Sequence, residues 1–204
     1  MMDVGFFDFG GVIAEEGFVK GFRAIALSQG LEPDVVLQAG VDAAWDTGFV
    51  LGLSEESAFW DFVRIRAGVK GEDAFLRQHL YNNFVVRPWM LEIVDKVRAA
   101  GVRPAILSDQ LWWLDVINAK YGFFSRFDKV FNSYHHGVSK RQEAFFELAM
   151  KEMDVTPERS FFVDDHPGNV ERANKLGMKA ILYQDRASFE EALYALVPQA
   201  KESR

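Results

Sequence analysis

The strongest constraint in this 204-residue chain is a recurring alternation of short apolar runs with stretches of helical spacing. The runs are Val4 to Phe9, Val102 to Leu107, Lys129 to Phe131, Ser160 to Val163 and Lys179 to Tyr183. Each reads as a buried strand, and strands alternating with helices predict an α/β architecture built on a parallel sheet. The helices between them have apolar faces at Ile93, Val94 and Val97, and at Phe145, Phe146, Leu148 and Ala149. Gly101 and Gly177 follow such stretches as helix-ending residues. A last helix is expected from Ser188 to Leu196, with Pro198 stopping it and QAKESR as a frayed tail.

Between Ala14 and Arg87 the alternation lapses and the chain reads as helical throughout. The expected division is a core of residues 1–14 and 87–204, with a helical cap of residues 15–86 inserted in it. Its pieces are Phe18 to Gln29, Pro33 to Trp45, Ser54 to Ala67 and Glu72 to Tyr81, with Ser54 as an N-cap. The insert holds 6 Lys and Arg against 11 Asp and Glu, so it carries most of the net charge of −7. That sign gives no general attraction to nucleic acid or to an anionic membrane. No run approaches the roughly 18 apolar residues of a membrane span, and the N-terminus lacks a basic leader, so a cytoplasmic protein is expected. Cysteine is absent, so any metal site here uses oxygen or nitrogen ligands.

Four polar positions fall at or just beyond the strand ends: Asp8, Ser108, Lys140 and the pair Asp164-Asp165. In an open parallel sheet the carboxyl ends of the strands share one rim, where ligands bind, so residues far apart in sequence converge there. Carboxylates on one rim repel each other by about 4 kcal/mol per pair at 4 Å and an effective dielectric near 20. They must be separated, protonated or bridged by a cation, and oxygen ligands alone suit Mg2+, which retains waters and takes one or two carboxylates plus a phosphate. Lys140 and Ser108 add a positive charge and a hydroxyl donor suited to phosphoryl oxygens.

The segments FFDFGGVI, AILSDQ, GVSK and FFVDDHPGNVERANKLGM, in this order, resemble the four motifs of the haloacid dehalogenase-like hydrolases, over residues 4–183. The start is similar to the FDLGGV or FDLGNV branch, in which sugar-phosphate phosphatases occur. The resemblance implies a Rossmann-like three-layer α/β/α sandwich under a helical cap. It also implies Asp8 as nucleophile, Ser108 as phosphate ligand, Lys140 as stabiliser of both, and Asp164 and Asp165 as metal ligands, with Asn169 supporting their loop. The expected activity is Mg2+-dependent hydrolysis of a small phosphate monoester, such as a sugar phosphate, through an aspartyl-phosphate on Asp8. The expected partner is that small metabolite, with the chain a monomer or homodimer.

Three positions depart from the family pattern. Gly10 stands where a second Asp acts as general acid and base; its carbonyl can still bind metal, but it has no side chain to carry a proton. Asp109 replaces the usual Asn beside the phosphate site, and Arg141 replaces a Pro. General acid-base catalysis is typically worth about 10² to 10⁴-fold, so its loss slows an enzyme without abolishing catalysis. A metal-independent dehalogenase and a non-catalytic module that binds a phosphorylated ligand or a protein are the competing readings. Of the histidines, His135 and His136 read as loop decoration and His166 as a substitute proton donor. Trp45, Phe59 and Trp60 read as the cap's seam, Trp112-Trp113 as core, substrate wall or subunit contact, and Glu15, Lys20 and Arg23 as recognition candidates.

Overall fold

The computed structural model describes residues 1–202. The chain runs β1 (Val4–Phe7), then α1 (Gly17–Gln29), α2 (Pro33–Asp46), α3 (Glu56–Ala67) and α4 (Asp73–Tyr81), all before the second strand. There follow α5 (Pro88–Ala99), β2 (Arg103–Ser108), α6 (Trp113–Tyr121), β3 (Lys129–Asn132), α7 (Ser133–His136), α8 (Glu143–Glu152), β4 (Ser160–Asp164), α9 (Pro167–Lys175), β5 (Lys179–Leu182), α10 (Arg186–Leu196) and α11 (Pro198–Glu202). The strands form one five-stranded sheet in the order β3-β2-β1-β4-β5, every pairing parallel. The reversal of order on either side of β1 places a crevice at the carboxyl end of that central strand.

Side-chain alternation along each strand sorts the core into two faces. Phe7, Ile106, Phe161 and Val163 pack with Val94, Ile117 and Leu193 from α5, α6 and α10. Phe6, Leu107, Phe131 and Phe162 point the other way, onto Phe145, Phe146 and Ala149 of α8 and Ala173 of α9. Both faces of the sheet are therefore covered, giving three layers. Gly5 is required at the centre: a Cβ there would lie 2.3 Å from the Phe161 ring, its neighbour across the β1–β4 pairing.

The helical insert has its own apolar cluster, including Phe22, Phe49, Phe59 and Trp60. Trp113, from α6 of the sandwich, enters that cluster, stacking on Trp60 at 5.8 Å and meeting Phe59 edge-on at 5.5 Å. The two chain passages joining insert to sandwich run side by side: Glu15 N donates to Val85 O and Arg87 N to Ile13 O, each at 2.9 Å. Arg87 clasps them, donating to the Gly11 and Val12 carbonyls and pairing with Glu15 at 2.9 Å. Arg87 and Lys20 together hold the Glu15 carboxyl well below its usual range, at about 2.

Some sequence expectations need correction. β1 ends at Phe7, so Asp8 and Phe9 belong to the following loop. Ser54 does not cap α3: the helix begins at Glu56 after Glu55, and the buried Ser54 hydroxyl has no hydrogen-bond partner. Pro198 does not end the helical region but opens α11, whose Ala200 is buried in the main core, because Pro is well placed in a first helical turn. The expected fraying therefore fails for that segment up to residue 202, and the last two residues of QAKESR lie outside the described residues. Glu15, Lys20 and Arg23 are engaged in ion pairs, Glu15 with Lys20 and Arg23 with Asp34, and none lines the cavity beside Asp8. Among the described residues no helix is long and apolar enough to cross a membrane.

Candidate active site

The fold delivers its rim residues from four separate segments. Asp8 leaves β1 with its N–H still bonded to Val163 O of β4 at 2.9 Å. Ser108 ends β2 and Asp164 ends β4, both fully buried, while Lys140 lies between α7 and α8 with only 2% of its surface exposed. One Asp8 oxygen, Oδ1, accepts from Phe9 N at 2.8 Å, Ser108 Oγ at 2.5 Å and Lys140 Nζ at 2.8 Å. No donor among the described residues reaches Oδ2, so a carboxylate fixed by one oxygen keeps the other free to react.

Lys140 Nζ also donates to Asp164 Oδ2 at 2.6 Å. Asp164 is further held by His166 N at 2.7 Å and by Asn169 Nδ2 at 3.1 and 3.2 Å. Asp109 Oδ1 accepts from Lys140 N at 2.9 Å, so this acid anchors the lysine backbone. Arg141 lies over the Trp45 ring of α2, 3.4 Å from its centroid, tying cap to sandwich at the cavity. His166 caps α9, its Nδ1 accepting from Gly168 N at 3.2 Å, and its residue also lines the cavity. His135 pairs with Asp115 at 2.7 Å and His136 bonds Asn132 O at 3.0 Å, so neither reaches the cluster.

The electrostatics of this rim are unbalanced. Burial pushes the Asp8 carboxyl well up; Lys140 opposes that shift and Asp164 reinforces it. Burial and Asp164 likewise raise Asp165, and burial with Asp165 alongside pushes Glu16 up to about 7. Burial alone would lower Lys140, but Asp164, Asp8 and Asp109 overcome it and hold the ammonium firmly charged.

Glu16 is the residue the sequence reading passed over. It is half-buried and lines the cavity, and its carboxylate oxygens lie 3.6 and 4.0 Å from where a Cβ on Gly10 would be. A carboxylate arriving from the cap entrance thus fills the space left by the missing side chain. The only sequence signal was an acid pair, Glu15-Glu16, just after the motif, and it gave no indication that the chain turns back on itself there.

Asp8, Asp164 and Asp165 each offer an oxygen, all within 4.8 Å of one another. Hard oxygen donors, a surplus of negative charge and raised carboxyl groups together fit a divalent cation of the magnesium type. Beside them opens a cavity of about 310 Å³, whose lining includes Asp8, Gly10, Glu16, Asp109, Gln110 and His166.

A family profile described as haloacid dehalogenase-like hydrolase matches residues 2–177. The chain belongs to this family. In fold, this hydrolase is similar to the HAD family enzyme BT-2542 of Bacteroides thetaiotaomicron, with a TM-score of 0.71 and 19% identity over 90% of this chain and 94% of that one. BT-2542 has also been solved in complex with magnesium and inorganic phosphate, and in that form the TM-score is 0.69 at 18% identity, covering 90% and 95% of the two chains. L-2-haloacid dehalogenase from Xanthobacter autotrophicus, with chloropropionic acid covalently bound, gives 0.68 at 17% identity over 99% and 88% of the two chains. Among curated sequences, 79 residues, 39% of this hydrolase, are 34% identical to drimenol cyclase drtB of Aspergillus calidoustus, a match spanning 15% of that protein's length.

Proposed function

We propose that this hydrolase is a magnesium-dependent phosphatase acting on a small phosphate monoester, with Asp8 as nucleophile. The observation that carries this reading is the convergence of the Asp8, Asp164 and Asp165 carboxylates next to a buried lysine. A dehalogenase making an aspartyl ester needs no cation and has no use for Asp164 and Asp165 together at the site. The magnesium and phosphate complex of BT-2542, a protein of the same fold, supports the phosphatase reading.

Asp8 Oδ2 attacks phosphorus in line, and the bond from phosphorus to the alcohol oxygen breaks. Lys140 Nζ, already on the other Asp8 oxygen, and Ser108 Oγ, once its hydroxyl turns from that oxygen, donate to the phosphoryl oxygens and offset their growing charge. Asp8, Asp164, Asp165 and the Gly10 carbonyl would hold the magnesium ion, which when bound supplies further charge neutralisation at those oxygens. Glu16 stands in for the missing acid at position 10: it gives its proton to the departing alcohol oxygen. It then takes one from the water that attacks the aspartyl-phosphate and frees inorganic phosphate.

The role of Glu16 is tested by leaving group. Glu16→Gln is expected to slow hydrolysis of alkyl phosphates by about 10² to 10⁴-fold. Esters of acidic phenols, whose leaving oxygen needs no proton, should be slowed much less in the first step. Adding Gly10→Asp to that variant should restore alkyl ester turnover, since Gly10 lies outside the left-handed region and a Cβ there meets nothing closer than 3.3 Å. Equal slowing of both ester classes without rescue would place Glu16 outside proton transfer.

The overall reading is tested by a panel of phosphate esters assayed with magnesium and with excess chelator. Turnover should require the metal. Because Asp8, Asp165 and Glu16 all have raised carboxyl groups, the folded metal-free protein binds more protons than the unfolded chain above the ordinary carboxylate range. Its stability therefore falls as pH rises toward those folded values, and a bound cation takes over from the protons. Magnesium is accordingly expected to raise Tm more at pH 8 than at pH 5. Unchanged turnover in chelator supports the dehalogenase-type reading, whereas no turnover alongside a thermal shift with phosphate supports a non-catalytic binding module.

A further inference from the structure

The walls of the cavity divide by chemistry. Around the carboxylate cluster stand the polar side chains of Asp8, Glu16, Asp109, Gln110 and His166, while the cavity's cap side is formed by Phe18, Val19, Val41, Ala44 and Trp45, with Leu111 from the sandwich. No lysine or arginine is among the lining residues. The cations nearest in sequence to those walls are committed elsewhere: Lys20 to Glu15, Arg23 to Asp34 and Arg141 to the Trp45 ring.

We infer that the alcohol part of the substrate is uncharged and largely apolar, an inference that rests on the phosphatase reading of the same site. Hydroxyl groups of a sugar phosphate that lie beyond the reach of Gln110, His166 and the carboxylates would meet aliphatic and aromatic walls that give them no partner. Each hydroxyl stripped of water without a partner weakens binding. A leaving group with a second carboxylate or phosphate would meet Glu16 and Asp109 with no arginine or lysine to receive it. An alkyl or aryl group removes the same walls from water and gains from doing so. The volume of about 310 Å³ lies at the small end of ligand pockets, which run from about 300 to 1,000 Å³, so the alcohol is short.

The test uses the magnesium-loaded full chain and compares n-butyl and n-hexyl phosphate with glycerol 3-phosphate, glucose 6-phosphate and 2-phosphoglycolate. Each buried methylene should raise kcat/KM about fourfold, the fold-change equivalent to a transfer of about 0.8 kcal/mol, until the cavity is full. The hydroxylated esters should be at least tenfold poorer than n-hexyl phosphate, and phosphoglycolate poorest. Val41→Lys, which puts a cation on the cap wall, should shift the ratio toward phosphoglycolate by tenfold or more. A second readout is calorimetric binding of n-hexylphosphonate against 3,4-dihydroxybutylphosphonate, neither of which turns over. Preferred turnover of sugar or dianionic esters, or rates indifferent to chain length, overturns the inference while leaving the phosphatase reading intact. If no ester turns over and n-hexylphosphonate still binds more tightly, the phosphatase reading falls and the assignment of ligand chemistry stands. Equal binding of the two phosphonates with no turnover removes both.

Discussion

Asp8→Asn is expected to lower turnover of every phosphate ester by at least about 10⁴-fold while leaving the protein as stable as the parent or more so. The amide retains an oxygen where Phe9 N, Ser108 Oγ and Lys140 Nζ converge, so the local hydrogen bonds survive. What changes is the second atom, where a carboxylate oxygen able to form a bond to phosphorus becomes an NH₂ group that cannot. Stability moves the other way because burial and Asp164 both resist ionisation of Asp8. At neutral pH without metal, a neutral side chain relieves that strain, and Lys140 keeps its pairing with Asp164 at 2.6 Å. Phosphate release and thermal unfolding of the same preparation separate the two effects. An active, folded Asn variant would mean that the nucleophile lies elsewhere.

The sequence carried the frame of the site further than its details. Strand ends are punctuated by abrupt changes from apolar to polar, so Ser108 and Asp164 could be placed on the rim from periodicity and motif order alone. Asp109 could be located but not oriented: it anchors Lys140 only because the Lys140 backbone passes 2.9 Å away, a contact across 31 residues. Glu16 was illegible for a related reason. Its position opposite Gly10 depends on Ala14 bridging to both Gly10 and Val86, which folds the cap entrance back over the motif loop. The Trp112-Trp113 pair read as core, wall or contact, with core favoured for at least one ring, and only packing against Trp60 and Phe59 reveals that Trp113 docks the insert. Errors in the helices arose where local propensity was overridden: Ser54 has an N-cap's chemistry, but the N-cap of α3 is Glu55, one residue later.

Lys140→Ala should be the most destabilising substitution in the site and should also remove most activity. The ammonium is buried with Asp8 and Asp164, and deleting one member of a buried ionic cluster costs about 3–5 kcal/mol because the remaining charges stay uncompensated. For a chain of this size that corresponds to a Tm lower by about 6 to 20 °C. The sign of the pH dependence identifies the cause. In the parent protein Lys140 is raised above its ordinary value, so its contribution is fully present below the unfolded lysine pKa and is lost only in strongly alkaline solution. Over pH 5 to 8 it is constant. In the variant the two buried acids can be relieved only by protonation, so the deficit should grow from pH 5 to pH 8 and shrink when magnesium is added. A cavity left by a lost apolar stem would instead cost the same at both pH values. Activity should fall by about 10² to 10³-fold even at saturating magnesium, the loss typical of removing one preorganised donor from a developing charge. A pH-dependent deficit that magnesium relieves, with activity still missing, would assign the ammonium two separate duties: balancing the buried carboxylates and neutralising the reacting phosphoryl group.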